Sequence, residues 1–517
     1  MQRRSGVTIP LFSIRRADRG WGIGEIPDLA AFSAWAARAG FRVVQILPVN
    51  EPAGGQNSPY GSRSAFAIDP AYIALDDVPD FVAAGGVAAL SPEHRALLAA
   101  VRDAPSVRWD DVRQVKEAAL SIAYRHFVAH ELDKETPRAR EFEAFVEAEK
   151  DWLDDYALFA VIHDEMGSVV WTEWSPPLRY REATALEAAR VRHAVRIDER
   201  RYVQWIADQQ WHAARDAANE QGVDLMGDLP FLVAGDSADI WARAHEFRLD
   251  LRTGVPPDAF SEDGQDWGLP VFSWETIAAG DFQWMRERAR HSAEMFGIFR
   301  VDHVVGLYRT FYRPEDGPRN GPGRFTPEGE AAQTRLGETV MQILDGGQGR
   351  VIAEDLGVVP DFVRASLNRL GIPGYRVLRW EKDLHVFRDP ASWPERSVGT
   401  TGTHDTESIA EWYDALDDAE RAELLKLPAL ARLRERAPKT IDDEVRDAVL
   451  AAVYQSPSEL VLFPFQDLFG ARERVNTPGT VNDENWTYRS PLTVEALEED
   501  IAATARLAAL AAESGRK

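Results

Sequence analysis

Short apolar runs that end in polar residues recur along the sequence, and amphipathic helical segments separate most of them. The runs cover residues 42–47, 64–68, 223–226, 298–301, 350–353, 375–378, 397–401 and 460–463. Runs of this length that are rich in β-branched and aromatic residues are typical of strands buried on both faces of a sheet. Their alternation with helical segments predicts an α/β fold with parallel strands.

The polar residues at the ends of these runs decide between two common parallel architectures. They are Asp228, Asp302, Glu354, His404, Asp405, Gln466 and Asp467. In a (β/α)8 barrel, the carboxyl ends of the strands form the rim on which the active site is built. A doubly wound sheet also collects residues there, but it needs a switch point and usually a glycine-rich phosphate loop, which the sequence lacks. We therefore predict an α/β protein, a (β/α)8 TIM barrel with helix-rich and loop insertions.

We expect residues 1–517 to form a single decorated (β/α)8 catalytic domain. Residues 78–201 show an acidic helical pattern and predict a helix-rich insertion, and the charged residues 417–447 predict a second helical insertion. Residues 254–270 hold too many prolines and glycines for a helix or strand, yet they carry Phe260 and Trp267. Long aromatic loops are often lids or binding loops, so we predict an active-site loop here.

The composition excludes several classes of function. The formal net charge of -25 argues against nucleic acid or an anionic membrane as a partner, because both need a basic surface. The absence of cysteine excludes disulfides, thiolate catalysis and cysteine metal sites. No run of about 18 apolar residues is present, and Arg15 and Arg16 interrupt the N-terminal apolar run. We expect a cytoplasmic protein without a signal peptide, whose charge is compatible with a neutral, polyhydroxylated ligand.

Three carboxylates follow three separate predicted strands. Glu354 comes 52 residues after Asp302, and Asp405 comes 51 residues after Glu354, so each interval fits one βα unit with decorations. Arg300 and Asp302 are two apart on one strand and therefore face the same side of the sheet. Arg300 can then keep the Asp302 carboxylate ionised, which prepares a nucleophile. A structural ion pair at the end of a strand is the alternative.

Acids that converge on one rim indicate either carboxylate catalysis on a neutral substrate or a divalent metal site. His303 and His404 lie beside these acids in the sequence, which keeps the metal interpretation open. Tyr60 lies in a glycine-rich loop after a predicted strand, where binding groups collect. Asp236 and Asp239 precede a predicted helix, and either could simply cap it, the role we prefer for Asp239.

The candidate acids lie in the motifs Arg300-Val301-Asp302-His303, Ala353-Glu354-Asp355 and Thr403-His404-Asp405. With these motifs the chain resembles the 4-α-glucanotransferases, also called amylomaltases or disproportionating enzymes, which are relatives of the α-amylase barrels. The resemblance covers nearly the whole chain in the right order. It continues at Leu47-Pro48, Ser58-Pro59-Tyr60, Gly227-Asp228-Leu229-Pro230, Asp236-Ser237-Ala238-Asp239, Gly254-Val255-Pro256-Pro257-Asp258, Gly264-Gln265, Trp267-Gly268, Gly371-Ile372-Pro373-Gly374, Asn476, Pro478-Gly479 and Asn485-Trp486.

The resemblance implies a role for each candidate acid. Asp302 would be the nucleophile, Glu354 the general acid/base, and Asp405 a carboxylate that stabilises the transition state through sugar hydroxyls. The substrate-binding residues that we expect are Tyr60, Asp236, Asp258, Phe260, Gln265, Trp267, Arg300, His303 and His404. Ala259, Leu269 and Thr406 depart from the residues common in the family, and these departures concern the preference for acceptors.

The implied reaction is a retaining double displacement. Glu354 protonates the leaving oxygen while Asp302 captures the anomeric carbon, and Glu354 then acts as the base. The two carboxyl groups should lie about 5–5.5 Å apart, with Glu354 protonated and Asp302 ionised at the start. The expected partners are maltooligosaccharides and α-1,4-glucans, with glucose as an acceptor, and the resemblance implies no cofactor and no metal. A retaining α-glucan hydrolase and a non-catalytic glucan-binding protein are the alternatives.

Overall fold

The computed structural model describes residues 3–257, 264–346, 350–480 and 482–516. The strands of these residues are β1 Arg4–Thr8, β2 Val43–Gln45, β3 Asp224–Leu229, β4 Phe247–Val255, β5 Gln265–Phe272, β6 Ile298–Val301, β7 Thr310–Pro314, β8 Arg324–Thr326, β9 Arg350–Ala353, β10 Gly374–Val377, β11 Lys382–Asp383, β12 Val386–Phe387, β13 Ser397–Thr400 and β14 Leu460–Pro464. Eight of these strands are parallel and close into a barrel in the order β1, β14, β13, β10, β9, β6, β3, β2. The predicted (β/α)8 barrel is therefore confirmed.

Helices connect most neighbouring barrel strands. The α-helices of the described residues are α1 Asp28–Arg38, α2 Pro79–Ala83, α3 Pro92–Asp103, α4 Trp109–His130, α5 Pro137–Glu165, α6 Pro176–Arg179, α7 Ala183–Glu220, α8 Ala238–Ala242, α9 Trp274–Ala279, α10 Gln283–Met295, α11 Val304–Tyr308, α12 Glu330–Asp345, α13 Asp361–Leu370, α14 Ile409–Ala415, α15 Asp418–Leu424, α16 Asp443–Tyr454, α17 Phe465–Phe469, α18 Val494–Glu499 and α19 Ile501–Glu513. Short 3-10 helices cover Leu11–Ser13, Pro70–Tyr72, Leu75–Asp77, Gly86–Ala89, Leu132–Lys134, Trp171–Glu173, Ala244–Glu246, Pro390–Ser392 and Pro428–Leu433. None of the helices described is long and apolar enough to cross a membrane.

The barrel interior is filled by side chains from alternate strand positions. They are Val43, Met226, Ile298, Ile352, Tyr375, Val398, Leu460 and Leu462, all buried. Because successive side chains on a strand point to opposite faces, the residue two positions after each of these also faces inward. Asp228 follows Met226 in this way, Arg300 follows Ile298, and Glu354 follows Ile352. The core packing therefore directs these three charged residues toward the mouth of the barrel.

The first barrel strand, β1, is missing from the strands predicted by sequence. Gly6 faces the interior, where an added Cβ would lie 2.6 Å from the Val43 carbonyl oxygen and 2.7 Å from Leu462 Cδ2. The position therefore takes no side chain. With glycine inside and Arg4 and Ser5 before it, the segment has too few apolar residues to indicate a buried strand.

The predicted strand at 64–68 is wrong. Among the described residues this segment makes only an isolated bridge, between Ile68 and Asn50. The side chain of Gln204 on α7 binds both the N–H and the carbonyl of Ile68 at 2.9 Å. The apolar residues Phe66 and Ala67 pack in the same buried cluster as side chains of α5. The apolar pattern therefore reflects packing against the helices and not a place in the barrel.

The prediction that residues 254–270 are neither helix nor strand is wrong at both ends, because residues 254–255 belong to β4 and residues 265–270 belong to β5. β4 and β5 pair antiparallel across this segment, with Val255 opposite Gln265, and join β7 and β8 in a four-stranded sheet. A Cβ at Gly254 would lie 2.0 Å from the Gln265 carbonyl oxygen, so this glycine permits close approach of two strands. In the sequence, Gly254 resembled a loop residue, because a glycine needed for close packing cannot be told from a glycine in a turn.

The two other predicted insertions are largely helical in the structure. Residues 78–201, all of which are described, contain helices and no strand. The last helix of this segment, α7, starts at Ala183, continues to Glu220 and has one non-helical residue, His193. Residues 417–447 hold α15, a 3-10 helix and the start of α16.

Candidate active site

Parallel register brings Asp302 and Glu354 to the same end of neighbouring strands. Val301 on β6 pairs with Ala353 on β9, so the two acids follow at equivalent positions. The backbone N–H of Asp302 donates to the Leu229 carbonyl at 3.0 Å, and that of Glu354 donates to the Val301 carbonyl at 3.0 Å. These bonds continue the barrel hydrogen bonding through both residues. Their backbones are therefore fixed by the barrel itself.

A buried guanidinium joins Asp302 to a second aspartate. Arg300 Nη2 lies 2.9 Å from Asp302 Oδ1, which confirms the predicted contact, and Arg300 Nη1 lies 2.7 and 2.5 Å from the two carboxylate oxygens of Asp228. The Asp228 and Arg300 side chains are nearly fully buried, whereas that of Asp302 is 24% exposed. Burial raises the pKa of Asp228 even though Arg300 opposes this. Asp302 is thus the member of the trio that faces the open mouth.

Tyr60 connects this trio to the opposite side of the rim. Its hydroxyl donates to Asp228 Oδ2 at 2.7 Å. Its ring stacks on His404, with 5.2 Å between centroids and 16° between planes, and Trp486 packs beside both rings at 5.8 and 5.9 Å. The predicted binding residues Tyr60 and His404 therefore meet at the barrel mouth, in contact with the residues that hold Asp302.

Asp405 lies on the loop after β13 and is held by side chains. Asn476 Nδ2 donates to Asp405 Oδ1 at 2.6 Å, and His404 Nε2 lies 3.4 Å from Asp405 Oδ2. The Arg474 guanidinium donates to the Asp405 carbonyl at 3.0 Å. The Asp405 side chain remains 40% exposed. This carboxylate is oriented but open to a ligand.

Two backbone N–H groups bind the carboxyl group of Glu354. His303 N–H donates to Oε2 at 2.9 Å, and Leu356 N–H donates to Oε1 at 3.1 Å. Burial nevertheless raises the pKa of Glu354 to about 8; Arg300 opposes the rise, while the charge of Asp302 adds to it. Near neutral pH, Glu354 is therefore mostly protonated, as a general acid must be.

His303 holds its backbone in the left-handed region, with φ 44° and ψ 53°. Non-glycine residues rarely adopt this conformation, which tends to persist where the surrounding structure enforces it, often at active sites. Here the turn is the one in which the His303 N–H reaches Glu354. The His303 ring packs edge-on against Trp267 at 4.8 Å and Phe231 at 5.6 Å. Burial lowers its pKa to about 4, so the ring is neutral.

Strand β5 brings two of the expected loop residues to the site. Trp267 contacts His303, and its indole N–H donates to Gln265 Oε1 at 3.0 Å, while Gln265 itself is exposed. The other two expected residues of this segment, Asp258 and Phe260, lie outside the described residues.

Asp236 makes its contacts with the helical insertion. His163 Nε2 of α5 lies 2.8 Å from Asp236 Oδ2, and the Trp171 N–H donates to Oδ1 at 3.0 Å. Both carboxylate oxygens are thus engaged away from the three acids. The helix α8 is capped by Ser237, and Asp239 instead accepts from Ala65 N–H and Trp284 Nε1, so the preferred capping role for Asp239 is wrong.

Three further residues, Asp228, Asn476 and Trp486, lie in this network although no role was predicted for them. Asp228 was noted at a strand end, but its bond to Arg300 depends on the pairing of β3 with β6. Asn476 and Trp486 belong to motifs of the resemblance, and only the fold brings them to Asp405 and His404.

Asp228 and Asp302 both contact a cation of the protein itself, the Arg300 guanidinium. Among the described residues, no group of three or more histidine, aspartate or glutamate side chains is arranged to hold a metal ion.

A closed barrel with acids from neighbouring strands at its mouth defines a (β/α)8-barrel enzyme of the paired-carboxylate class. The family profile described as 4-alpha-glucanotransferase matches residues 9–493, and the chain belongs to this family, glycoside hydrolase family 77. The expected family and enzyme class are therefore confirmed.

Individual relatives agree with the family assignment. The chain is 33% identical over 494 residues to the 4-alpha-glucanotransferase of Thermus thermophilus, a match covering 91% of each chain. It is 30% identical over 510 residues to the 4-alpha-glucanotransferase of Chlamydia pneumoniae, covering 96% of this chain and 92% of the relative. An amylomaltase from Streptococcus agalactiae, solved in complex with acarbose, matches with a TM-score of 0.85 over 100% of both chains at 26% identity.

Proposed function

We propose that this 4-α-glucanotransferase moves α-1,4-glucan segments from a donor to the 4-hydroxyl of an acceptor glucan or glucose, by retaining double displacement. The observation that carries the proposal is the unequal setting of two neighbouring acids. Burial raises the pKa of Glu354 to about 8, while Arg300 binds the more exposed Asp302 at 2.9 Å. Two carboxyl groups kept in different protonation states are what this chemistry needs.

The first step transfers the glycosyl group to the enzyme. The Asp302 carboxylate forms a bond to the anomeric carbon as the bond to the leaving oxygen breaks, and the Glu354 proton passes to that oxygen. The leaving glucan departs with a new hydroxyl at its non-reducing end, and Glu354 becomes a carboxylate. The N–H groups of His303 and Leu356 then stabilise the new charge.

The second step transfers the glycosyl group to the acceptor. The Glu354 carboxylate removes the proton of the acceptor 4-hydroxyl as its oxygen attacks the anomeric carbon, and the bond to Asp302 breaks. Both catalytic groups return to their starting states. Two inversions at one carbon retain the α configuration of the product.

The residues around these acids take supporting roles in the proposal. Asp405 accepts hydrogen bonds from sugar hydroxyls and stabilises positive charge on the sugar ring in the transition state. Its side chain suits this role because Asn476 orients it and it is partly exposed. Arg300, Tyr60 and His404 bind the donor sugar at the barrel mouth. Asp236, whose side chain is 22% exposed, is expected to bind sugar through its carboxylate.

Transfer and hydrolysis differ in which hydroxyl attacks the anomeric carbon in the second step: that of an acceptor sugar or that of water. Exclusion of water favours transfer, and Trp267 with Gln265 supplies an aromatic and amide surface beside His303 for an acceptor glucan. Asp258 and Phe260 of the same segment are proposed to complete that surface. The acid composition suits a neutral glucan, and we propose that the enzyme acts in the cytoplasm without a nucleic acid or membrane partner.

Incubation with maltotriose tests the proposed function. We expect glucose together with maltodextrins longer than maltotriose, separated and counted by chromatography over time. Products no longer than maltotriose, with a gain in reducing ends, would instead indicate a hydrolase. Unchanged maltotriose would indicate a glucan-binding protein without activity.

A further inference from the structure

The connection from β10 to β13 leaves a cavity on the outer side of the barrel. Residues 378–396, all of which are described, form β11, β12 and a 3-10 helix but no α-helix. Tyr375 fills the barrel interior, so Arg376 next to it faces outward. A cavity of about 600 Å³, which we call the shoulder cavity, lies here. It is lined by Arg376, Glu381, Asp383, Val386, Phe387, Arg388, Ser392, Trp393 and Pro394.

Glu381 is only loosely paired in the shoulder cavity, whereas Arg388 donates a hydrogen bond to Asp383. The Glu381 carboxylate lies 3.7 Å from Arg376 Nε and 3.7 Å from Arg388 Nη1, beyond hydrogen-bond distance. No described residue donates a hydrogen bond to this carboxylate, although only 20% of the side chain is exposed. Its two oxygens therefore retain full capacity to accept hydrogen bonds from a ligand.

A buried tryptophan also lines the shoulder cavity. Trp393 is 4% exposed, and its indole N–H has no hydrogen-bond partner among the described residues. Its Cζ3 edge abuts β13, where an added Cβ on Gly399 would lie 3.0 Å away. Nε1 itself has no accessible surface, so Trp393 contributes part of the cavity wall and no donor that a ligand can reach.

We propose that the shoulder cavity is an accessory binding site for a glucan chain. Sugar hydroxyls can donate to Glu381 and accept from Arg376, while Val386, which is 56% exposed, offers apolar surface to the C–H faces of the rings. A volume of about 600 Å³ lies within the range of sites that hold small molecules.

The charge of the lining selects for a neutral ligand. The side chains of Arg376 and Arg388 are balanced by those of Glu381 and Asp383, and the Glu381 carboxylate would repel a phosphate. The inference rests on the proposed function, because the choice of a glucan as the ligand of the shoulder cavity comes from the proposed substrate. A long donor held here would raise the local concentration of glucan beside the rim.

Electrophoresis through gels containing amylose measures the apparent affinity of the protein for glucan, and therefore tests the proposed site. The parent is Asp302→Asn, which should not turn over the polymer. In this background, Glu381→Ala removes both acceptor oxygens of the cavity carboxylate. Arg388→Gln removes the guanidinium 3.7 Å from that carboxylate, and Glu499→Ala, at an exposed residue of α18, is the matched control. We expect Glu381→Ala and Arg388→Gln each to weaken the apparent affinity about three- to tenfold, the size of one or two lost hydrogen bonds, with no change for Glu499→Ala.

Equal retardation of the parent, Glu381→Ala and Arg388→Gln would overturn the accessory site and leave the proposed function intact. A parent that amylose does not retard at all would contradict both. A crystal of the Asp302→Asn protein soaked with maltoheptaose supplies the second readout. Sugar density against Glu381 and Arg376 is expected, and density at the barrel mouth alone would refute the proposal even if one variant folds poorly.

Discussion

The two halves of the barrel mouth hold their acids in different ways. On β3, β6 and β9, strand register fixes Asp228, Asp302 and Glu354, and the buried Arg300 binds the first two. On the other half, Asp405 follows β13 on a loop, is 40% exposed and depends on the side chain of Asn476 for its orientation. The strand-borne half can therefore hold Glu354 protonated by burial, and the loop-borne half can adapt to a sugar.

This difference predicts unequal effects of mutation. Changes on the strand-borne half should abolish individual chemical steps, because charge and position there are set by burial and by the barrel. Changes on the loop-borne half should weaken transition-state stabilisation in smaller increments. The predictions below begin with the largest effect.

Glu354→Gln should lower kcat on maltotriose about 10²- to 10⁴-fold, because the leaving oxygen loses its proton donor. α-Maltotriosyl fluoride needs no protonation of its leaving group, so the first step with this donor should stay fast. Stopped-flow release of fluoride measures that step. If fluoride release is slowed as much as maltotriose turnover, Glu354 is not the acid.

The pH dependence should report the same residue. Because burial raises the pKa of Glu354 to about 8, the carboxyl group keeps its proton below that pH and loses it above that pH. We expect kcat/KM for maltotriose to fall about tenfold per pH unit above this value, the slope of a single ionisation. Measurements from pH 6 to 10 check this. An alkaline limb that persists unchanged in Glu354→Gln would assign it to another group.

Stability should change with pH in the matching direction. A carboxyl group whose pKa is raised by folding stabilises the protein while protonated, and this stabilisation is lost as pH rises from about 4.5 toward 8. Glu354→Gln should therefore have a higher Tm than the unmodified protein at pH 9, with the difference shrinking at pH 5. Calorimetry at both pH values checks this, and the opposite trend would contradict a buried neutral Glu354.

Asn476→Ala tests the loop-borne half. Loss of the 2.6 Å hydrogen bond to Asp405 should lower kcat/KM about tenfold, the effect of one hydrogen bond to a charged group. The alkaline limb should stay where it is, because Glu354 is untouched. A shift of that limb would show that the two halves are not independent.

Trp267→Ala should have the smallest effect on rate and a visible effect on products. Removal of the indole beside His303 opens the site to water, so the ratio of hydrolysis to transfer should rise a few-fold. Counting reducing ends against longer maltodextrins measures this ratio. Tyr180→Ala is a suitable comparison, since Tyr180 is 68% exposed in the helical insertion at residues 78–201, and its ratio should stay constant.

The sequence was informative where one strand carries the whole pattern. The contact between Arg300 and Asp302 follows from alternation within one strand, and Glu354 follows from the same period after Ile352. The closed barrel follows from repetition of such strands.

The sequence was uninformative where function depends on contacts between distant segments. The bonds from Asp228 to Arg300 and from Asn476 to Asp405 join residues about 70 positions apart, and no local pattern indicates them. The strand with Gly6 and the hairpin with Gly254 were missed because a glycine that allows close packing has the same composition as a glycine in a turn.

The identity of the nucleophile is tested most directly by trapping the glycosyl enzyme. Glu354→Gln should react with α-maltotriosyl fluoride in the first step and stall in the second, because no base activates the acceptor. Mass spectrometry of peptides should then find the glycosyl group on the peptide with Asp302, and specifically on that carboxylate. A glycosyl group on another residue, or no adduct together with a product of inverted configuration, would contradict the account.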